Sequence, residues 1–307
     1  MRVIQTILFL LISSYNIAQV QENLLLERNY MNAFNPAFVG SEGKEFGLVN
    51  RSNWENISNS PKTSYLFYSG ETKKKLTLGL SAITNKIFID RRTLFAIDAS
   101  YMLEISNSYK LYLGLKTGFS TKTSDVSLLE RITNEINPYI NNNKQASYPI
   151  LGIGFLLKSD KMFFSLGTAN ILNPSNFIND QAFILYETPV LYNVFGITYK
   201  LNNNGFLIKP FISIKYIQRM KNRINFGGII NYKDRIEIGG GYTSDNFTYA
   251  TICIKSKSGI SIGITSDFNV THYHNIFGGG SEVFLRYSFN KRQVKIENES
   301  ISKSDEN

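Results

Sequence analysis

The sequence predicts an all-β chain: an antiparallel transmembrane barrel of about fourteen strands, preceded by a short N-terminal plug or helix. Three observations carry that reading. From Lys44 onward apolar residues alternate with small or polar ones, the period of a strand and not of a helix. No stretch beyond the N-terminus holds the roughly eighteen consecutive apolar residues of a membrane helix, so strands must make any crossing. The connections also sort by parity: the three longest are odd-numbered, and the even ones are mostly tight turns, as in a bacterial barrel with short turns on one side.

The chain begins with Arg2 and an apolar run to Ile12, closed by Ser13, Ser14 and the residues to Ala18. This pattern reads as a secretory signal peptide over residues 1–18, with Gln19 as the new N-terminus. Residues 19–43 are amphipathic but too polar to cross lipid, with Leu24, Leu25 and Leu26 beside Glu22, Glu27 and Arg28. Two readings remain open for them. They lie inside the barrel as a plug fastened by Asn35-Pro36-Ala37, or Asn35-Pro36 makes a plain turn into the first strand. Gly40 lets the chain bend there.

The barrel is expected over residues 44–289, in segments 44–53, 62–70, 76–85, 92–105, 109–122, 146–158, 161–170, 188–201, 206–217, 223–232, 235–242, 247–256, 259–265 and 281–289. The fifth shows the division clearly: Leu111, Leu113, Leu115 and Phe119 share one face, and Tyr112, Gly114, Lys116, Gly118 and Ser120 the other. Ile260, Ile262 and Ile264 oppose Ser261, Gly263 and Thr265 in the same way.

Connections 123–145, 171–187 and 266–280 are the long ones, whereas Ser159-Asp160, Asn202-Asn203-Asn204-Gly205, Lys233-Asp234 and Lys257-Ser258 are tight. With 22 Phe and 18 Tyr the chain can build interfacial girdles. Candidates are Phe38, Tyr65, Phe67, Tyr68, Tyr101, Tyr112, Tyr192, Tyr199, Tyr216, Tyr232 and Tyr287, and the lone Trp54 reads as an interfacial anchor. Residues 290–307 are charged and poor in apolar side chains, a polar periplasmic tail.

The formal charge of +9 comes from scattered basic residues, and an exported chain meets no nucleic acid. Lys73-Lys74-Lys75 reads as a solvated turn. The single Cys253 lies in a strand pattern and reads as a buried, inert thiol. Catalytic chemistry is thin. His272 and His274 have no cysteine or carboxylate cluster beside them to complete a metal site, and no serine motif suggests a hydrolase. Gly278-Gly279-Gly280 lacks the Lys-Ser/Thr and the strand-to-helix context of a phosphate loop. The chain is therefore expected to be no enzyme and to hold no cofactor and no metal. Glu282 falls on the inward face of the last strand, where it pairs with an arginine, either Arg286 or one on the first strand. Asp90-Arg91-Arg92 is a solvated loop or a contact for an acidic partner or lipopolysaccharide.

Asn35, Pro36, Ala37 and Gly40, then Arg51 and Trp54, then Pro61 and Thr63, placed just after a signal peptide, resemble the opening signature of the PorP/SprF family. Asn53 stands where that pattern usually has Gln, and Ser266 precedes Asp267 where Tyr is common. A Glu at position 282 also fits the pattern, and the likeness runs to the last strand. The resemblance implies an outer-membrane component of the type IX secretion and gliding machinery. Its expected partners are a large surface adhesin, bound through its C-terminal sorting domain, and periplasmic components of the machinery. The parity of the connections puts both termini in the periplasm, and outer-membrane lipid and lipopolysaccharide are expected around the barrel. From a different class, a diffusion channel for small solutes is the alternative, and a hydrolase or a soluble periplasmic β protein ranks behind it.

Overall fold

The computed structural model describes residues 30–54, 59–70, 75–125, 144–177, 189–201, 205–217, 221–270 and 279–289. The expected signal peptide, the two histidines, the polar tail and most of the three long connections lie outside these residues. The strands are β1 (Glu45–Asn53), β2 (Lys62–Ser69), β3 (Leu76–Ile87), β4 (Asp90–Glu104), β5 (Lys110–Ser124), β6 (Lys144–Lys158), β7 (Met162–Thr168) and β8 (Val190–Ile197). They continue with β9 (Tyr199–Leu201), β10 (Phe206–Ile217), β11 (Arg223–Tyr232), β12 (Ile236–Thr243), β13 (Phe247–Lys255), β14 (Ile260–Asn269) and β15 (Gly280–Ser288).

Within β1 to β8 and within β10 to β15 each strand pairs antiparallel with the next in sequence, β8 and β9 both pair with β10, and β15 pairs with β1, so the sheet closes on itself. Closure gives each stave a strand partner on both sides, the condition for strands in hydrocarbon, while residues 144–152 of β6 and 199–201 of β9 run on beside a single strand. The ring has fourteen staves, because β8 and β9 form one. They face β10 in a single register, with Phe211 opposite Gly196 and Phe206 opposite Leu201. Between these pairs β10 carries Pro210, which has no N–H to donate. The ladder lapses at Thr198, whose own N–H bonds to the Lys161 carbonyl at 2.7 Å.

Burial is inverted relative to a soluble sheet. Outward positions are apolar and open: Ile254 is 63% exposed and Ile262 54%. Inward positions are polar and closed off: Glu282 and Thr265 have no exposed surface, and Asp98 and Lys116 retain 1%. Such a molecule is stable only with lipid outside. Register also settles the aromatics. Tyr101, Tyr199, Tyr216 and Tyr287 are exposed, but Tyr65, Phe67, Tyr112 and Tyr192 are buried on the inner wall and belong to no girdle. Phe67 covers Gly47 and Phe284 covers Gly263, which explains why rings and glycines face each other across neighbouring strands.

Residues 30–43 lie within the ring and contribute no strand to it. They form two single 3-10 turns, Met31–Ala33 and Pro36–Phe38. Pro36 presets the first position of the second turn, and the Asn35 side chain accepts the Ala37 N–H at 2.9 Å, so Asn-Pro is a cap as well as a bend.

Candidate functional site

The ring leaves a row of missing side chains where residues 35–37 approach it. Gly114 of β5 stands opposite Gly154 of β6, which stands opposite Gly167 of β7. A Cβ at Gly154 would overlap Asn35 Oδ1, one at Gly114 would overlap the Ala37 nitrogen, and one at Gly167 would sit 2.5 Å from Asn35 Cγ. The slot therefore exists only because three adjacent strands carry glycine at one level. Asn35 Nδ2 donates to the carbonyls of Phe155 (3.1 Å) and Leu166 (3.2 Å), on the two strands that flank it. Ser100 of β4 donates to the Ala37 carbonyl at 3.2 Å. Asparagine is the side chain this arrangement needs: two N–H donors for the wall and an oxygen for its own turn.

Further contacts carry the segment from wall to wall. The Tyr30 ring meets Tyr65 of β2 and Phe284 of β15 edge-on, with centroids 6.5 and 6.4 Å apart. Phe34 stacks on Tyr192 of β8 at 4.9 Å, and Lys215 of β10 places its ammonium 4.8 Å from the same ring. Since β1 and β8 stand half a turn apart in the ring, these anchors reach opposite sides of the lumen. Gly40 (φ +76°) donates to Ser69 Oγ at 2.7 Å, and any side chain there would overlap Thr77. Lys158, at the short-turn end of β6, then holds Glu42 (2.6 Å) and the Ser41 carbonyl (2.9 Å).

Arg51, Thr63 and Glu282 form a second group on the seam between the first and last strands. Arg51 stands opposite Glu282 on one side and Thr63 on the other. Its Nη2 donates to Asp267 Oδ2 at 2.8 Å, and its Nη1 lies 4.0 Å from Glu282 Oε2. Asp267 Oδ1 accepts the Gly280 N–H at 2.6 Å, tying β14 to the start of β15. All three charged side chains are buried. The arginine that meets Glu282 is thus the one on the first strand, while Arg286 lies 3.9 Å from Glu45. Trp54 and Pro61 end the adjoining strands: Asn53 donates to the Pro61 carbonyl, and Trp54, in a left-handed conformation (φ 51°), donates to the Gly279 carbonyl. Trp54 is exposed at that rim.

Of the nine candidate residues, Asn35, Pro36 and Ala37 sit at the glycine slot, Gly40 rests against β2 and β3, and Arg51, Trp54, Pro61, Thr63 and Glu282 lie at the seam or its rim. Sequence reasoning passed over Gly154, Gly167 and Lys215, although glycines recurring on the polar face of consecutive segments were the available signal. A 370 Å³ cavity opens at the short-turn end, lined by Tyr30, Asn32, Lys209, Glu237, Lys255 and Arg286 among others. Its charges are matched, with Lys209 and Lys255 on Glu237 Oε1 at 3.1 and 2.8 Å. Among the described residues no group of three His, Cys, Asp or Glu side chains comes together as a metal site, and Cys253 is a buried free thiol. Asp90, expected in a loop, begins β4 and pairs with Lys122 at 3.3 Å, while Ser124 donates to it.

Several solved barrels are similar in outline. The Acinetobacter baumannii outer membrane protein Omp33 is 7% identical (TM-score 0.48), over 80% of this chain and 98% of that one. The CymD monoaromatic hydrocarbon channel is 10% identical (TM-score 0.47), over 88% and 95%. A Pseudomonas aeruginosa FadL homologue is 10% identical (TM-score 0.45), over 84% and 94%. No curated protein sequence matches the chain. The family model of the type IX secretion system membrane protein PorP/SprF matches residues 19–287, which span the slot, the seam and all of the ring but the last residue of β15. The chain belongs to the PorP/SprF family of type IX secretion system membrane proteins.

Proposed function

We propose that this barrel binds large surface adhesins through their C-terminal sorting domains and helps to secrete or anchor them. Family membership makes it an outer-membrane component of the secretion machinery. The observation that carries the finer reading is the occupied lumen. Tyr30, Phe34 and Asn35 reach opposite walls, which suits a binding platform better than a permanently open diffusion channel. In this reading the long connections face outward and hold the adhesin. Both termini lie in the periplasm, where the short turns and tail meet other components of the machinery, and lipopolysaccharide surrounds the rim.

Deleting residues 138–143 from the longest connection, short of the start of β6 at Lys144, tests the platform. Surface adhesin should fall while barrel insertion, followed by heat-modifiable gel migration, stays intact. Unchanged adhesin display removes that connection from the mechanism. Affinity capture of the solubilised barrel should also retain a large surface chain, and its absence argues for a role without direct adhesin contact.

A further inference from the structure

We infer a second activity: the barrel is a gated pore for small hydrophilic solutes, with residues 30–43 as its gate and Asn35 as the latch. The inference stands apart from adhesin binding.

Its first support is topological. The fourteen-stave ring is hydrogen-bonded to closure without residues 30–43, and none of them enters a ladder with the wall. The segment can leave without breaking a strand pair. A ring of this size encloses more room than inward side chains alone can fill. Here the wall is hollowed further at Gly114, Gly154 and Gly167, where the segment sits. Val39 fills the space above a fourth glycine, with its Cγ1 2.9 Å from where a Gly79 Cβ would stand.

The second support is the chemistry left beneath the segment. Lys116 lies two residues from Gly114 on the same face, and its ammonium is held by Asp98 Oδ1 (2.7 Å) and Ser81 Oγ (2.9 Å). Asp98 lies two residues from Ser100, which bonds the segment directly. Lys215 is buried under the Phe34 ring. Buried ammonium and carboxylate groups on the wall are costly to desolvate even where they pair across neighbouring strands, as Lys116 and Asp98 do. Water readmitted by departure of the segment solvates them, so the closed and open states are brought closer in free energy. Two states so balanced are what a gate requires.

The latch is specific. Asn35 makes both wall bonds through one amide nitrogen, and alanine removes both together with the cap on Ala37. Lumen charges of both signs sit together, Lys116 with Asp98, Arg51 with Asp267 and Glu282, and Lys209 and Lys255 with Glu237, so the open passage discriminates little between small cations and anions.

The test uses the purified full-length barrel in planar bilayers, with potassium chloride as the probe and heat-modifiable migration as the check on folding. The wild type should be closed for most of the record. Asn35→Ala should raise the open probability about tenfold, the effect of losing one to two net hydrogen bonds. Gly154→Ala keeps the latch residue and blocks its seat, and should act in the same direction. Closure is then restored covalently. In an Asn35→Ala, Cys253→Ala background, Val39→Cys with Gly79→Cys places two Cβ atoms within disulfide reach. The oxidised form should be silent and the reduced form should conduct. Equal conductance in both redox forms overturns the proposal, as does a folded Asn35→Ala or Gly154→Ala barrel that stays closed.

Discussion

The glycine slot and the β14–β15–β1 seam solve opposite problems within one lumen. At the slot, wall side chains are absent and recognition passes through main-chain carbonyls, so an independent segment can be seated and read. At the seam, long charged side chains are buried and matched across three strands. They join the first stave to the last two, where the ring must close. The contrast teaches that buried polarity differs with what each region must do. Contacts are neutral and shape-dependent where a segment docks, and charged where strands must stay together.

Changing Arg51 to Ala presses that distinction hardest. It leaves Asp267 and Glu282 buried together on one wall, and losing one partner of a buried charge group costs about 3–5 kcal/mol. The unfolding midpoint of the barrel should fall accordingly, without release of the N-terminal segment. Release of the segment by this change alone would merge the two regions. Asn35→Asp attacks the other side: it replaces the N–H donors with an oxygen facing two carbonyls, a loss of about 3 kcal/mol of docking free energy. Residues 30–43 should become protease-sensitive while the barrel band keeps its migration, and a collapsed barrel would refute the separation.

Gly154→Ala should weaken docking by about 1–3 kcal/mol through overpacking, again with barrel stability preserved. Gly118, whose added Cβ would meet the Phe95 carbonyl and not the segment, supplies the contrast, since alanine there should disturb the ring itself. Smallest is Lys158→Ala. Its ion pair with Glu42 is partly exposed on both sides, so less than about 1 kcal/mol is expected, and less still in high salt.

Much of this was legible in the sequence. Strand periodicity located every stave to within a few residues, because a closed sheet between lipid and a polar lumen imposes strict alternation over its whole length. The eighth expected segment appears as β8 and β9 since propensity does not register a proline on the opposite strand. Facing directions of single aromatics were not legible. Tyr65 and Tyr68 differ only in parity within one strand, and a one-residue uncertainty in register exchanges inside for outside. The slot was half visible: Asn35, Pro36 and Ala37 stood out, but their seat is assembled from β5, β6 and β7, which no local pattern brings together. Glu282 was assigned an arginine partner, and register with β1 selects Arg51.

The central claim is that alternate residues of each stave face lipid and a closed interior. It is tested most directly by spin labels placed singly at 111, 112, 113, 115, 116, 117 and 119 along β5 of the barrel in bilayers, in a Cys253→Ala background and sparing Gly114 and Gly118, where a side chain would displace the segment or the wall. Collision with dissolved oxygen should peak at 111, 113, 115, 117 and 119 and fall at the positions between them. A water-soluble relaxation agent reaching the odd-numbered positions would contradict the account, because that face would then be wet.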